Sequence, residues 1–315
     1  MKILLIGDPH FKVSNCIETN QLHKETIKYI QNTDLDFVVI LGDVLDTHEK
    51  IHIRPLCRAV NYITSIAKLI KTYVLIGNHD RLNNNVFLTD DHPFSGLKNT
   101  ENIIIVDKVY QENNFIFVPY VYPGRFQEAL ETIDFKPNKQ FIFAHQEFKG
   151  VKMGAFVSEI GDGWPEDYPY VFSGHIHDFQ QVQKNILYTG TPFQHGFSDS
   201  CDKFLVLIET NDYDYTMEKV YLDIIKKRVL QIDFNQLKSY EEDKQFITKL
   251  IIEGNSKLIR KILQEKDIKF YKIRDNTIKK SSSYRYISFE DSFNQRLKTL
   301  TYYDKEVYDE IFTQT

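Results

Sequence analysis

Cysteine is scarce. The chain of 315 residues holds three, Cys16, Cys57 and Cys201, scattered and odd in number. None stands in C-x-x-C spacing, so neither a disulfide framework nor a zinc ribbon is encoded, and each reads as a free, partly buried thiol. Long apolar runs are missing too: nothing approaches the roughly 18 residues of a membrane span. The start, Met1-Lys-Ile-Leu-Leu-Ile-Gly-Asp8, is basic and then apolar, but Asp8 breaks the run short of the roughly 7–15 residues of a secretory signal. It reads as a buried first strand in an intracellular, cytoplasmic protein with no membrane contact. There is no internal repeat, and no aromatic-rich basic patch that would read bases by stacking.

What is present is enough to build a sizeable core. Hydrophobic residues make up 42% of the chain, and the length allows one large domain or two to three smaller ones. The net charge of −5 hides an asymmetry. Residues 226–315 hold 19 Lys+Arg against 14 Asp+Glu, and residues 1–225 hold 20 against 30. A basic C-terminal part suits a polyanion; an ordinary solvated surface accounts for it equally well.

Up to about residue 222 short apolar runs alternate with helical periodicity. Strands are expected at 2–6, 37–41 and 73–76, and helices at 20–31 and 55–70. Such runs bounded by helices mark an α/β sheet with buried strands. Later strands crowd together, at 103–106, 115–118, 141–144, 170–172, 186–188, 204–208 and 216–221. The expected fold is therefore α/β, a two-sheet β-sandwich flanked by helices, over residues 1–222. Residues 223–274 read as a small α+β unit: a strand at 229–234, two helices within 241–266 split near Gly254-Asn255, and a strand at 268–273. Residues 275–315 begin with a polar linker to about 283. Phe289, Phe293, Leu297, Leu300, Tyr303, Val307 and Ile311 then follow at helical spacing.

Ligand-type residues appear where apolar strands run out. "IGDPHF" supplies Asp8 and His10, "LGDVLD" Asp43, "GNHD" Asn78 and His79, "FAHQEF" His145, and "SGHIHD" His175 and His177. Open α/β sheets place their sites outside the carboxyl ends of strands, so five ends can converge. Asp8 with His10, and His175 with His177, stand at i and i+2, which in extended chain point to one side. Gly7, Gly42, Gly77 and Gly174 precede them and permit tight turns. One such histidine is ordinarily a hydrogen-bonded loop residue, but burying the whole set without a cation would be costly. Imidazole, carboxylate and amide together suit Mn²⁺, Fe²⁺ or Zn²⁺, and the lack of thiolates argues against a structural zinc. Two ions about 3.5–4 Å apart are the device for phosphoryl displacement, and one carboxylate must bridge them.

The order D-x-H, GD, GNHD, a single His, then GH-x-H resembles the calcineurin-like metallophosphoesterase family over residues 1 to about 210. It is similar within that family to the SbcD-type DNA repair and recombination nucleases of bacteria, phages and eukaryotes. "LYTGTPFQ" is similar to a Tyr-x-Gly-Ser/Thr-Pro segment of that branch, and residues 223–274 stand where it carries a DNA-capping domain. The resemblance implies that Asp8, His10 and His177 hold one metal, Asn78, His145 and His175 the other, and that Asp43 bridges both. It implies that His79 protonates the leaving oxygen, that Asp80 orients His79, and that Mn²⁺ is the working metal, with Mg²⁺, Fe²⁺ or Zn²⁺ as alternatives. It also implies an SbcC-type ABC ATPase partner, docked on the stripe Phe289, Phe293, Leu297, Leu300, Val307 and Ile311, and a homodimer within a heterotetramer. The stripe alone would equally suit a helix packed on its own domain.

One departure stands out. Cellular members carry a second histidine three residues after the bridging aspartate, where this chain has Asp46, and an ionised carboxylate cannot donate to a phosphate. His48 and His52 are nearby and read more simply as loop residues. A small-molecule phosphodiesterase of the same fold and a non-catalytic DNA-end-binding scaffold are the competing functions. The first would not need residues 223–315, and the second would not need a full ligand set. High Ile, Lys, Asn and Tyr with low Ala fits an AT-rich genome and, with the phage-like motifs, a protein acting in an infected host cell.

Overall fold

The computed structural model describes residues 1–275 except 49, 138–140 and 212–213. The stripe Phe289, Phe293, Leu297, Leu300, Val307 and Ile311 lies outside the described residues, as does the linker from 276 onward. In chain order the first part runs β1 (Lys2–Ile6), α1 (Cys16–Gln31), β2 (Phe37–Ile40), α2 (Ile53–Ala67), β3 (Thr72–Leu75) and β4 (Ile103–Val106). Then come β5 (Tyr110–Glu112), β6 (Phe115–Val118), α3 (Phe126–Leu130), β7 (Phe141–His145), the hairpin β8 (Lys152–Met153) and β9 (Phe156–Val157), β10 (Tyr170–Gly174), β11 (Gln180–Gln183), β12 (Ile186–Tyr188), β13 (Leu205–Thr210) and β14 (Tyr215–Val220).

Two six-stranded sheets result, ordered β14-β13-β1-β2-β3-β4 and β11-β12-β10-β7-β6-β5. β1 to β4 are mutually parallel, as are β6, β7, β10 and β12. The strands that carry the site therefore end on the same side of their own sheet. The antiparallel additions, β13 and β14 on one sheet and β5 and β11 on the other, lie toward the edges.

The alternation of β1 shows how the layers are built. Ile3 and Leu5 pack between the sheets, whereas Leu4 and Ile6 pack under the helices, as a period of two requires. Leu22, Thr26 and Ile30 line the buried face of α1, and Ala59, Tyr62, Ile63 and Ile66 that of α2. The two helices are joined by a hydrogen bond of 3.1 Å between the Thr26 and Tyr62 hydroxyls. The space between the sheets is filled with aromatics. Tyr73 stacks on Phe117 at 4.0 Å, and Phe117 on Phe143 at 5.2 Å. On the outer face of the second sheet, Ile116, Ile142 and Val171 pack with Phe126 of α3, Phe148 and Trp164. This is a mixed α/β sandwich flanked by helices.

A third sheet of three parallel strands follows: β15 (Lys226–Asp233), β16 (Phe246–Glu253) and β17 (Tyr271–Arg274), with α4 (Phe234–Ser239) and α5 (Ser256–Glu265). One expectation fails here. Residues 246–253 form a strand, not the first of two helices. The segment FITKLIIE is rich in β-branched residues, and its buried positions, Thr248, Leu250 and Ile252, alternate, which is a strand period and not a helical one. The unit has its own core of Leu237, Leu250, Ile252, Ile259 and Leu263. Its link to the sandwich combines an aromatic contact, Phe197 to Phe270 with ring centroids 5.3 Å apart, with polar ones. The Lys227 ammonium meets the Glu18 carboxylate and donates to the Gln194 carbonyl at 2.7 Å, and the Ile225 N–H donates to the Gln21 side chain at 2.9 Å.

The three cysteines are free, as expected, but Cys57 and Cys201 are exposed and only Cys16 is half-buried. Among the described residues no helix is long and apolar enough to cross a membrane. Phe143 is fully buried between the sheets, so Phe143→Ala is expected to cost about 3–5 kcal/mol in urea unfolding; a loss under about 1 kcal/mol would mean that the sheets do not pack through it.

Candidate metal centre

Five strand ends meet. β1, β2 and β3 of the first sheet deliver Asp8 and His10, Asp43, and Asn78 and His79. β7 and β10 of the second deliver His145, and His175 and His177. Asp8, His10, Asp43, Asn78 and His145 are buried. All nine expected residues fall in or beside this one place.

The backbone reaches it by a different route from the extended spacing expected. Asp8 (φ 37°), His10 (φ 42°), Asp43 (φ 47°) and His175 (φ 79°) are in the left-handed region. That region is unfavourable for residues with a Cβ and is concentrated at functional sites. The turns are held by the neighbouring loop: the His10 N–H donates to the Asp43 carbonyl at 3.0 Å and the Phe11 N–H to the Val44 carbonyl at 2.7 Å. Gly42 has φ 97°, and a Cβ on Gly77 would fall inside the backbone and carboxylate of Asp43. Glycine is required at both.

The side chains sort into two groups that share Asp43. Asp8, His10 and Asp43 present ligand atoms all within 4.8 Å of one another, as do Asp43, His145 and His175. His177 joins the first group, its Nε2 lying 3.0 Å from Nε2 of His10. Asn78 joins the second, its Oδ1 lying 3.0 Å from His145 Nε2 and 2.9 Å from His175 Nδ1. Backbone carbonyls fix the tautomers. His10 Nδ1 lies 3.2 Å from the Leu45 oxygen, and His145 Nδ1 lies 2.7 Å from that of Leu41. A ring that donates from Nδ1 turns the lone pair on Nε2 inward, the arrangement in which histidine binds a metal.

The electrostatics fit cations. Burial pushes Asp8 well above the usual carboxylate range, against the pull of His145, and its buried Oδ2 has no partner among the described residues. Burial lowers His10 and His175 to about 3 and lowers His177 as well, which keeps these rings neutral, as ligands must be. Asp43 is the opposite case. Burial would raise it, but the facing His145 holds it well below the ordinary range. Burial opposes the charge on His145, yet Asp43 and then Asp8 bring it up to about 9. Buried oxygens and nitrogens of opposite charge, one of them without a partner, are what a site for divalent cations presents when its own groups stand in for the ions.

The supporting residues differ from expectation. Asp80 does not bond the His79 ring. Its carboxylate accepts from the N–H groups of Val44 (3.1 Å), Leu45 (2.8 Å) and Gly77 (3.1 Å), clamping the second loop to the third. Burial and the Asp43 charge raise it to about 6. The His79 ring is oriented by the carbonyl oxygen of Asp46, 2.8 Å from Nδ1, while the Asp46 side chain takes Lys12 at 3.0 Å. His79 N–H donates to Asp43 at 2.9 Å, and its Nε2 lies 4.0 Å from that carboxylate. His48 is more than a loop residue: its ring stacks on His79 at 4.6 Å and 25°. His52 is exposed.

His195 escaped the sequence reading. Its Nε2 lies 3.0 Å from the Asp8 carbonyl oxygen, and its ring lies 5.0 Å from His10 and 5.3 Å from His177. The available signal was its place directly after LYTGTPFQ, in a loop that follows β12.

Comparison with known proteins shows the family. A family model described as calcineurin-like phosphoesterase matches residues 1–217. The chain is 45% identical over 249 residues to "Putative phosphoesterase 244L" of Invertebrate iridescent virus 6, covering 75% of this chain and 88% of that one. It is 42% identical over 233 residues to "Putative phosphoesterase 078R" of Invertebrate iridescent virus 3, covering 72% and 67%. A crystal structure of the Pseudomonas putida nuclease MPE aligns with 65% of this chain and 83% of that one at 17% identity. Its TM-score, 0.34, is too low to bear on function.

At pH 7 a His145 with a pKa of about 9 carries a proton, which a metal must displace. Calorimetric titration with Mn²⁺ in two buffers of different ionisation enthalpy is expected to show release of at least about one proton per chain. Equal heats in both buffers would contradict a protonated His145.

Proposed function

The chain belongs to the calcineurin-like phosphoesterase family, and from that premise we propose that it is a DNA nuclease with a centre for two divalent cations, of which Mn²⁺ is the working one. It is a metal-dependent hydrolase of phosphoester bonds. The observation that carries the proposal is the meeting of two ligand groups on one carboxylate, Asp43, with His79 beside them. In this reading Asp8, His10 and His177 hold one cation, Asn78, His145 and His175 the other, and Asp43 both. The oxygen and imidazole donors, without thiolate, suit Mn²⁺.

Bound cations would supply Lewis acidity toward the phosphoryl oxygens and make water acidic enough to attack near neutral pH. The chain's own residues do the rest. The buried neutral imidazoles and Asp43 fix where the phosphate is drawn. Asp80, through three backbone N–H groups, keeps the loops of Asp43 and Asn78 in register. His79 has Nδ1 committed to the Asp46 carbonyl, so the proton that it can deliver to the leaving oxygen is on Nε2, the nitrogen facing Asp43. Asp46 thus contributes through its backbone what its carboxylate could not.

DNA as the substrate is supported by the excess of Lys and Arg in residues 226–315, which suits phosphate contacts without sequence preference, and by the motif order. In the same reading β15 to β17 with α4 and α5 form a DNA-capping unit, and residues 285–315 dock an SbcC-type ATPase. Co-purification with that ATPase is expected to disappear when 285–315 are removed; intact co-purification would end the docking reading.

The main test is nucleotide release from linear duplex DNA in Mn²⁺. His79→Ala is expected to keep its metals and lose about 10²–10⁴-fold in turnover. Retained turnover would remove His79 as the proton donor. Cleavage of bis(p-nitrophenyl) phosphate but not of DNA, with the ATPase present or absent, would make the chain a small-molecule phosphodiesterase.

A further inference from the structure

Glu147 stands two residues after His145 and is 7% exposed. β7 and β10 pair in register with His145 opposite Gly174, so the residues that follow the two strands leave the sheet side by side. Glu147 follows the first strand and His175 the second. The Ser158 hydroxyl donates to Glu147 Oε1, and the Glu147 carbonyl accepts the Asp162 N–H at 2.9 Å. The other carboxylate oxygen, Oε2, lies 4.0 Å from Nε2 of His175. No lysine or arginine pairs with Glu147 among the described residues, and His175 is the basic group that it meets.

The two nitrogens of His175 have different neighbours. Nδ1 lies 2.9 Å from Oδ1 of Asn78, and that same oxygen lies 3.0 Å from His145 Nε2. Nδ1 is therefore the nitrogen that points into the ligand group. An imidazole that binds a cation is neutral and holds one proton. With the Nδ1 lone pair given to the cation, that proton is on Nε2. His175 is thus reversed relative to His10 and His145, whose Nδ1 atoms face backbone carbonyls and whose Nε2 atoms face the site. No backbone carbonyl bonds to His175 Nε2 among the described residues; the Glu147 carboxylate stands there instead. At 4.0 Å it acts through its charge and not through a hydrogen bond. In a buried place that charge favours a proton on the facing nitrogen and disfavours a lone pair there.

A buried carboxylate without a cation is costly, and a cation on His175 would also bring Glu147 the positive charge that it lacks. We propose that Glu147 is a positioning residue for the second cation: its carboxylate keeps the proton of His175 on Nε2 and so turns the Nδ1 lone pair toward the place shared with Asn78 and His145. Carboxylates beside metal-binding histidines act in this way in general. The proposal rests on the two-cation reading of the centre and is independent of which phosphoester is cleaved.

The test is calorimetric titration of the metal-free full chain with Mn²⁺. His175→Gln first shows which binding step belongs to His175. In Glu147→Gln that step is expected to weaken about 10–100-fold, with the other step changed by less than about twofold. An unchanged His175 step or equal losses in both steps would overturn the proposal, and so would a His175→Gln that weakens neither step. Glu147→Asp separates charge from shape. It keeps the carboxylate on a shorter stem and should lose less than Glu147→Gln, which keeps the shape without the charge; a larger loss in Glu147→Asp would overturn the proposal. If a melting curve shows that Glu147→Gln does not fold, Glu147→Asp replaces it. Its His175 step should then weaken by at least about threefold, and full retention would overturn the proposal. The two readings fail separately. A single Mn²⁺ per unaltered chain would sink the two-cation reading alone, because Glu147→Gln is still read on the step that His175 governs. Two Mn²⁺ per chain with the His175 step unchanged in Glu147→Gln would sink the positioning role alone.

Discussion

The buried carboxylate of Asp43 is the constraint on which the rest depends. It accepts the His79 N–H, faces His145 across 3.3 Å and His10 across 3.6 Å, and belongs to both ligand groups. A carboxylate so placed is stable as a charge only because cationic or metal-ready groups converge on it from both sheets. Its backbone is in the left-handed region, and the glycine of the third loop lies against it without a Cβ. The loops after β1, β2 and β3 are thereby locked to one another before any ligand arrives.

The sandwich supplies the distance. Parallel strands in each sheet send their carboxyl ends the same way, and the space between the sheets is filled by side chains such as Tyr73 of one, which stacks on Phe117 of the other. Close packing makes that spacing stiff. Asp8, Asp43 and Asn78 from one sheet can then meet His145 and His175 from the other within hydrogen-bonding range. A softer core would leave the two ligand groups free to drift apart.

Around this centre the chain uses backbone groups more than side chains. Carbonyls of Leu41, Leu45 and Asp46 set three imidazole tautomers, and three N–H groups fix Asp80. His79 and Arg81 stand on one short loop and line the same cavity, and Asp80 between them ties that loop to the one that carries Asp43.

By itself the sequence determined the buried strands of the sandwich and the residue types at their ends, though not the short, more polar strands β5 and β11. Apolar periodicity and chemical identity are local properties, and both are written in runs such as Tyr73-Val-Leu-Ile76 followed by Gly-Asn-His-Asp80. It also determined the family, because the order of Asp8, His10, Asp43, Asn78, His145, His175 and His177 is linear information. Residues 246–253 carry a strand's β-branched composition, and the tertiary structure decided their parallel pairing between β15 and β17. It alone showed Asp80 bonded to backbone and not to His79, Asp46 acting through its carbonyl, His48 stacked on His79, and His195 brought to Asp8. Each of these depends on which backbone group or which empty space a side chain meets. Backbone groups and spaces have no residue type, so no pattern of residue types could have announced them.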